Sequence, residues 1–263
     1  MSDSIGHRNS ADQHVWSYWE RTRWPLQSLY FLLPLIVVYE VGIALWVGPV
    51  DIRARGLLRM VFEHLGVTGA YLPGLVVIVA LAFQHLMERD PWRPEPKLYA
   101  GMWLESVALT VPLLAFVTIL FLPPLRHTAQ AWEWLASVAG NEVMPTGDWR
   151  AKLILPIGAG IYEELVFRLI GLTLLHLLLV DLLKLPDVYG RTVAVAITSV
   201  AFALYHFTGD NPFSGGRFAF YTLAGAYFAV IYLRRGFGIV VAVHALYNIT
   251  IAAHTLWFEA AGA

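Results

Sequence analysis

The sequence predicts an all-α, polytopic membrane protein, with about seven transmembrane helices (on the order of six to eight) around a polar cavity near the bilayer midplane. Three observations carry this expectation. Hydrophobic residues fill 58% of the 263 positions and charged residues only 14%, against roughly 25% charged in soluble domains. Several apolar stretches approach or exceed the roughly 20 residues that cross the hydrocarbon layer. Inside one of them lie Glu163, Glu164 and Arg168, far from either end.

Taken in order, residues 1–27 form a polar segment of mixed charge, and residues 28–263 a single transmembrane domain. The first apolar run, Leu29 to Val47, is longer than a signal-peptide core and lacks a small-residue cleavage site, so it reads as a retained anchor. The next spans are Tyr71 to Met87, Leu98 to Leu122, Leu153 to Leu175, Thr192 to Phe207, Phe218 to Leu233 and Phe237 to Trp257; those starting at Thr192 and Phe218 are short. Between the first two, Asp51 to Ala70 interleaves Arg53, Arg55 and Arg59 with Leu57, Leu58, Val61 and Phe62. That pattern fits an amphipathic helix in the headgroup layer or a solvated connector. The connection from Pro123 to Lys152 opens with the helix-ending pair Pro123-Pro124 and carries Trp132, Trp134 and Trp149 as interface anchors, with room for a short interfacial helix.

Charge and composition narrow the partners. A net charge of -1, with Lys and Arg scattered in ones and twos, excludes a nucleic-acid surface and leaves the lipid bilayer as the surrounding medium. The absence of cysteine removes thiolate nucleophiles and Cys-ligated zinc. Loops on the N-terminal side hold more Lys and Arg than those opposite, which favours a cytoplasmic N-terminus. A compact chain without targeting extensions fits a multi-pass protein of a bacterial plasma membrane.

The chemistry concentrates in Gly160-Ile161-Tyr162-Glu163-Glu164-Leu165-Val166-Phe167-Arg168. An ionisable group at the centre of a membrane helix costs about 2.5–3.5 kcal/mol on insertion scales and marks a functional site by default. Glu164 and Arg168 are four apart and share a face, so they can pair. Glu163 points about 100° away, which leaves its carboxylate for general-base chemistry. Gly158 and Gly160 give a neighbouring helix or an extended peptide room to approach. Further on, Phe202-x-x-x-His206 ends one span and His244-x-x-x-Asn248 lies inside the last. His206 is placed to hold or polarise a water, and His244 with Asn248 to stabilise an oxyanion. Each pattern also has a structural reading as an ion pair or as helix-to-helix hydrogen bonding. Glu40, in the first span, and Glu105, in the third, are candidate cavity-lining residues under the same alternative. His85, His176 and His254 lie near span ends and read as interfacial.

Glu163-Glu164-x-x-x-Arg168, Phe202-x-x-x-His206 and His244-x-x-x-Asn248, in that order on successive helices, resemble the CPBP (CAAX-protease and bacteriocin-processing, or Abi) family of intramembrane glutamic endopeptidases. That family includes the type-II CAAX prenyl endopeptidases. The resemblance covers about Leu153 to Trp257, where the catalytic-type helices fall. It implies that Glu163 activates a water with His206, that His244 and Asn248 bind the oxyanion, and that Glu164, Arg168 and Phe202 support them. The implied substrate is a membrane-associated or hydrophobic peptide or protein, cleaved without a cofactor or metal; prenylated CAAX ends, leader peptides, C-terminal sorting anchors and regulatory membrane proteins all fit. Zinc is the local competitor, because two His and one Glu can bind it with an open position, although no His-Glu-x-x-His helix is present. Two readings of other classes remain: a transporter or proton relay through Glu163, Glu164, His206 and His244, and a non-catalytic scaffold or immunity factor of the same fold.

Overall fold

A computed structural model of the protein describes residues 16–47, 52–64, 66, 72–121, 148–208 and 212–261. Residues 1–15 of the polar segment, Pro123-Pro124, and the anchors Trp132 and Trp134 with the interfacial helix expected near them lie outside the described residues. The elements are α1 (Tyr18–Arg21), α2 (Pro25–Val47), α3 (Arg53–His64), α4 (Leu72–Glu88), α5 (Pro96–Phe121), α6 (Trp149–Leu182), α7 (Asp187–Tyr205), α8 (Gly215–Arg235) and α9 (Phe237–Ala261). Among the described residues, six helices are long and apolar enough to cross a membrane: α2, α5, α6, α7, α8 and α9. The protein is therefore an integral, multi-pass, all-α membrane protein. The seventh expected span, Tyr71 to Met87, forms α4, whose 17 residues reach only about 26 Å at 1.5 Å per residue.

Local chemistry sets the helix limits. Pro25 starts α2 at a position that needs no N–H donor. Asp148 caps α6 by accepting from the Arg150 N–H at 2.9 Å. The apolar pattern of α6 continues through Leu177–Leu182, so the helix runs past the expected end at Leu175. Conversely α7 and α8 are longer than their apolar cores, because Asp187, Arg191, Gly215 and Arg217 extend them with residues that hydropathy alone leaves out.

At the centre stands α9, whose most apolar stretch is 61% buried, against 17% for that of α6. It packs on α6, α5, α2 and α8, while α7 packs on α8 and α2 on α4. Apolar side chains such as Phe83, Leu104, Ile119, Leu174 and Leu182 face outward, as a lipid-facing surface requires. Close helix contact depends on Gly160, where a Cβ would lie 2.8 Å from the Ala245 backbone nitrogen of α9. Gly158 makes equivalent room for the Tyr39 ring of α2. Neighbouring helices therefore fill the space that these glycines open.

Two regions expected to be peripheral are tied into the bundle. Ser17 and Glu20 form a reciprocal capping box on α1, and the Trp19 carbonyl accepts from Arg235 at 3.2 Å. On α3, Leu57, Met60 and Val61 are exposed, but Ala54, Arg55 and Leu58 are buried. Arg55 turns inward to pair with Glu40 at 3.3 Å, which offsets the desolvation of both charges better than a headgroup position would for Glu40 alone.

Candidate active site

Glu163 and Glu164 occupy the end of the α-helical part of α6, and Leu165–Leu172 continues it with π-helical turns. Such wide turns recur at functional sites. Both carboxylates are buried, Glu163 to 6% exposure and Glu164 to 0%. His206 follows the last residue of α7. His244 lies two turns into α9.

Glu164 makes two contacts. One oxygen meets the Arg168 Nε at 3.1 Å, and the other meets His244 Nδ1 at 2.7 Å. The second contact was not legible from the face argument, which assigned Glu164 to Arg168 alone. Arg168, 1% exposed, also donates to the Gly225 carbonyl at 3.1 Å. Its guanidinium lies 4.4 Å from the Phe202 ring centroid and 5.4 Å from that of Phe228. Buried charge is thus compensated by an anion, a carbonyl and two π faces.

Hydrogen-bond direction fixes both imidazoles. His206 Nδ1 is 2.8 Å from the Phe202 carbonyl; a carbonyl only accepts, so Nδ1 carries the proton. His244 Nδ1 likewise donates to the Glu164 carboxylate. Each ring therefore turns Nε2 toward the site, and both Nε2 atoms lie 3.8 Å from the same Glu163 oxygen. The rings are clamped by stacking: His206 on Tyr221 at 4.0 Å and 19°, and His244 on Phe228 at 4.5 Å and 16°.

Tyr221, Gly225 and Phe228 are the contributors that sequence reasoning missed. Their spacing of four and three puts them on one face of α8. That spacing was visible, but aromatic and small residues in a membrane helix read as packing until the facing helix is known.

The structure brings Glu163, Glu164, Arg168, Phe202, His206 and His244 into one cluster. Asn248 is buried one turn beyond His244. Glu40 and Glu105 have partners of their own. Glu40 accepts from Tyr162, the residue before Glu163, and from Arg55. Glu105 pairs with Arg235 and accepts from Tyr18 at 2.7 Å. His85, near the end of α4, is fully buried and edge-on to Trp92 at 4.2 Å. No group of three or more His, Asp or Glu is arranged to hold a metal ion among the described residues. A separate cavity of about 480 Å³ opens two to three turns further along α6, lined by Arg23, Glu88, Asp90, His176 and Arg191 among others.

A protein-family model described as "Rce1-like: Type II CAAX prenyl endopeptidase Rce1-like" matches residues 145–250. The match takes in α6, α7, α8 and the part of α9 that carries His244 and Asn248, so this part of the chain is a CAAX-protease-like domain. Comparison with curated proteins and with solved structures returned no match.

Proposed function

We propose, from the CAAX-protease-like domain over residues 145–250, that this protein is an intramembrane glutamic endopeptidase. It hydrolyses a peptide bond of a membrane-associated or hydrophobic substrate. The observation that carries the reading is the convergence of two imidazole Nε2 atoms on one Glu163 oxygen, each at 3.8 Å. That distance is too long for a direct hydrogen bond. It matches an oxygen bonded to both atoms at about 2.8 Å, with the two bonds meeting at about 85°.

In this mechanism Glu163, with His206 beside it, takes a proton from water as the water oxygen attacks the scissile carbonyl carbon. The carbonyl electron pair moves to oxygen, and the oxyanion accepts hydrogen bonds from the Asn248 amide and from His244. Because Nδ1 of His244 is directed at Glu164, Nε2 donates to the oxyanion when the ring carries both protons. Collapse breaks the C–N bond. The proton held by Glu163 passes to the leaving nitrogen, giving a free carboxyl and a free amine.

The test uses purified protein in detergent with two quenched fluorescent peptides, one ending in a farnesylated CAAX sequence and one with an apolar helix in its place. Glu163→Gln, His206→Ala and Asn248→Ala should each lower the rate by about 10²-fold or more. Cleavage by Glu163→Gln at the wild-type rate would end the assigned mechanism. Activity lost on exhaustive chelation and restored by zinc would replace it with a metal mechanism. Proton flux in liposomes without cleavage of any peptide would point to a relay instead.

A further inference from the structure

We infer that the Tyr247 hydroxyl donates a hydrogen bond to the backbone of the bound peptide beside the scissile carbonyl. This rests on the endopeptidase reading and adds a substrate-contacting residue that the three motifs do not contain.

Tyr247 is 3% exposed, and its hydroxyl has no hydrogen-bond partner among the described residues. A buried phenol without a partner destabilises the fold, and Phe in its place would remove that cost without changing the packing. The hydroxyl is therefore explained by something that binds it. Its place on α9 says what. Tyr247 is three residues after His244 and one before Asn248. At about 100° per residue it lies some 60° to one side of His244 and Asn248 some 40° to the other. The three side chains share one face, and along the helix axis Tyr247, about 4.5 Å beyond His244, lies between it and Asn248, about 6 Å beyond.

The neighbours agree with that placement. The Tyr247 ring is 6.3 Å from the Phe220 ring, and the next residue, Tyr221, is the one stacked on His206. Tyr221 is also the ionisable group close enough to act electrostatically on Tyr247. Tyr247 thus borders the seam between α8 and α9 beside the His206 end of the cluster. A phenol on the face that His244 and Asn248 share, and between them along the axis, lies beside the carbonyl that they hold.

The variant is Tyr247→Phe, which keeps the ring and removes only the hydroxyl. With the farnesylated quenched peptide, kcat/KM should fall about tenfold to a hundredfold while the unfolding temperature stays level or rises. A merely structural tyrosine would give no loss of activity. Wild-type kcat/KM in Tyr247→Phe overturns the proposal. Affinity of the same peptide for Glu163→Gln and for Glu163→Gln/Tyr247→Phe separates this from failure of the endopeptidase reading. If the wild-type protein cleaves nothing, weaker binding by the double variant still supports the contact. Equal affinity, or no binding to either, overturns it.

Discussion

The Glu164–Arg168 pair makes a quantitative prediction. In Arg168→Met the Glu164 oxygen loses its 3.1 Å partner, and the Gly225 carbonyl loses its side-chain donor, both in buried surroundings. Removing one member of a buried pair costs about 3–5 kcal/mol, because the remaining charge is left uncompensated. At about 2–4 °C per kcal/mol for a chain of this size, the unfolding temperature should fall by about 6–20 °C. Glu164→Gln should also destabilise, since an amide satisfying His244 Nδ1 with its oxygen turns its NH₂ toward the guanidinium. The double variant Glu164→Gln/Arg168→Met removes both buried charges and should be less destabilised than the sum, with a coupling of about 1–3 kcal/mol. Thermal unfolding in detergent, followed by tryptophan fluorescence, reads all four proteins. Additivity within about 0.5 kcal/mol would show that the two side chains do not act as a pair, and the account of the buried cluster would fall with it.

Two further outcomes are expected. Gly160→Val places a Cβ 2.8 Å from the Ala245 backbone nitrogen; backbone cannot yield as a side-chain tip does, so α6 and α9 must separate, at a cost of about 1–3 kcal/mol, and wild-type stability in this variant would disprove the close contact. Asp90 lies in the loop after α4, and burial raises its carboxyl above the ordinary value, so the folded protein holds that proton more tightly and loses stability as pH rises through the shifted value. Asp90→Asn should therefore unfold at a higher temperature than wild type at pH 7, with the difference vanishing as pH falls toward about 4; a difference independent of pH would remove burial of the charge as its cause.

Much of the bundle was legible because the bilayer imposes few solutions. A run such as Phe237 to Trp257 has little choice but to be a helix, and buried carboxylates at Glu163 and Glu164 have a cost that demands a partner. What stayed hidden depends on which helix faces which. Arg55 reads as a headgroup residue until Glu40 is seen 3.3 Å away. Tyr221, Gly225 and Phe228 read as filler until α8 is placed against His206, Arg168 and His244. Periodicity reports the face of a helix but not its neighbour, so the second contact of Glu164 could not be derived from spacing.

That second contact changes what the paired glutamates are for. If Glu164 served only Arg168, a single ion pair would explain both residues, and the adjacent Glu163 would be an expensive coincidence. Instead His244 lies between the two carboxylates, with Nδ1 on Glu164 at 2.7 Å and Nε2 toward Glu163 at 3.8 Å. The imidazole is planar, so a hydrogen bond at Nδ1 determines where Nε2 points, as an outer carboxylate does for a histidine ligand. His206 is oriented in the same way by a backbone carbonyl. Arg168 in turn holds Glu164 and rests on Phe202, the residue whose carbonyl fixes His206. One buried guanidinium therefore connects the orientation of both histidines, and the spacing Glu-Glu-x-x-x-Arg lets a single helix supply Glu163, the carboxylate that orients His244 and the counter-charge that makes this second carboxylate tolerable.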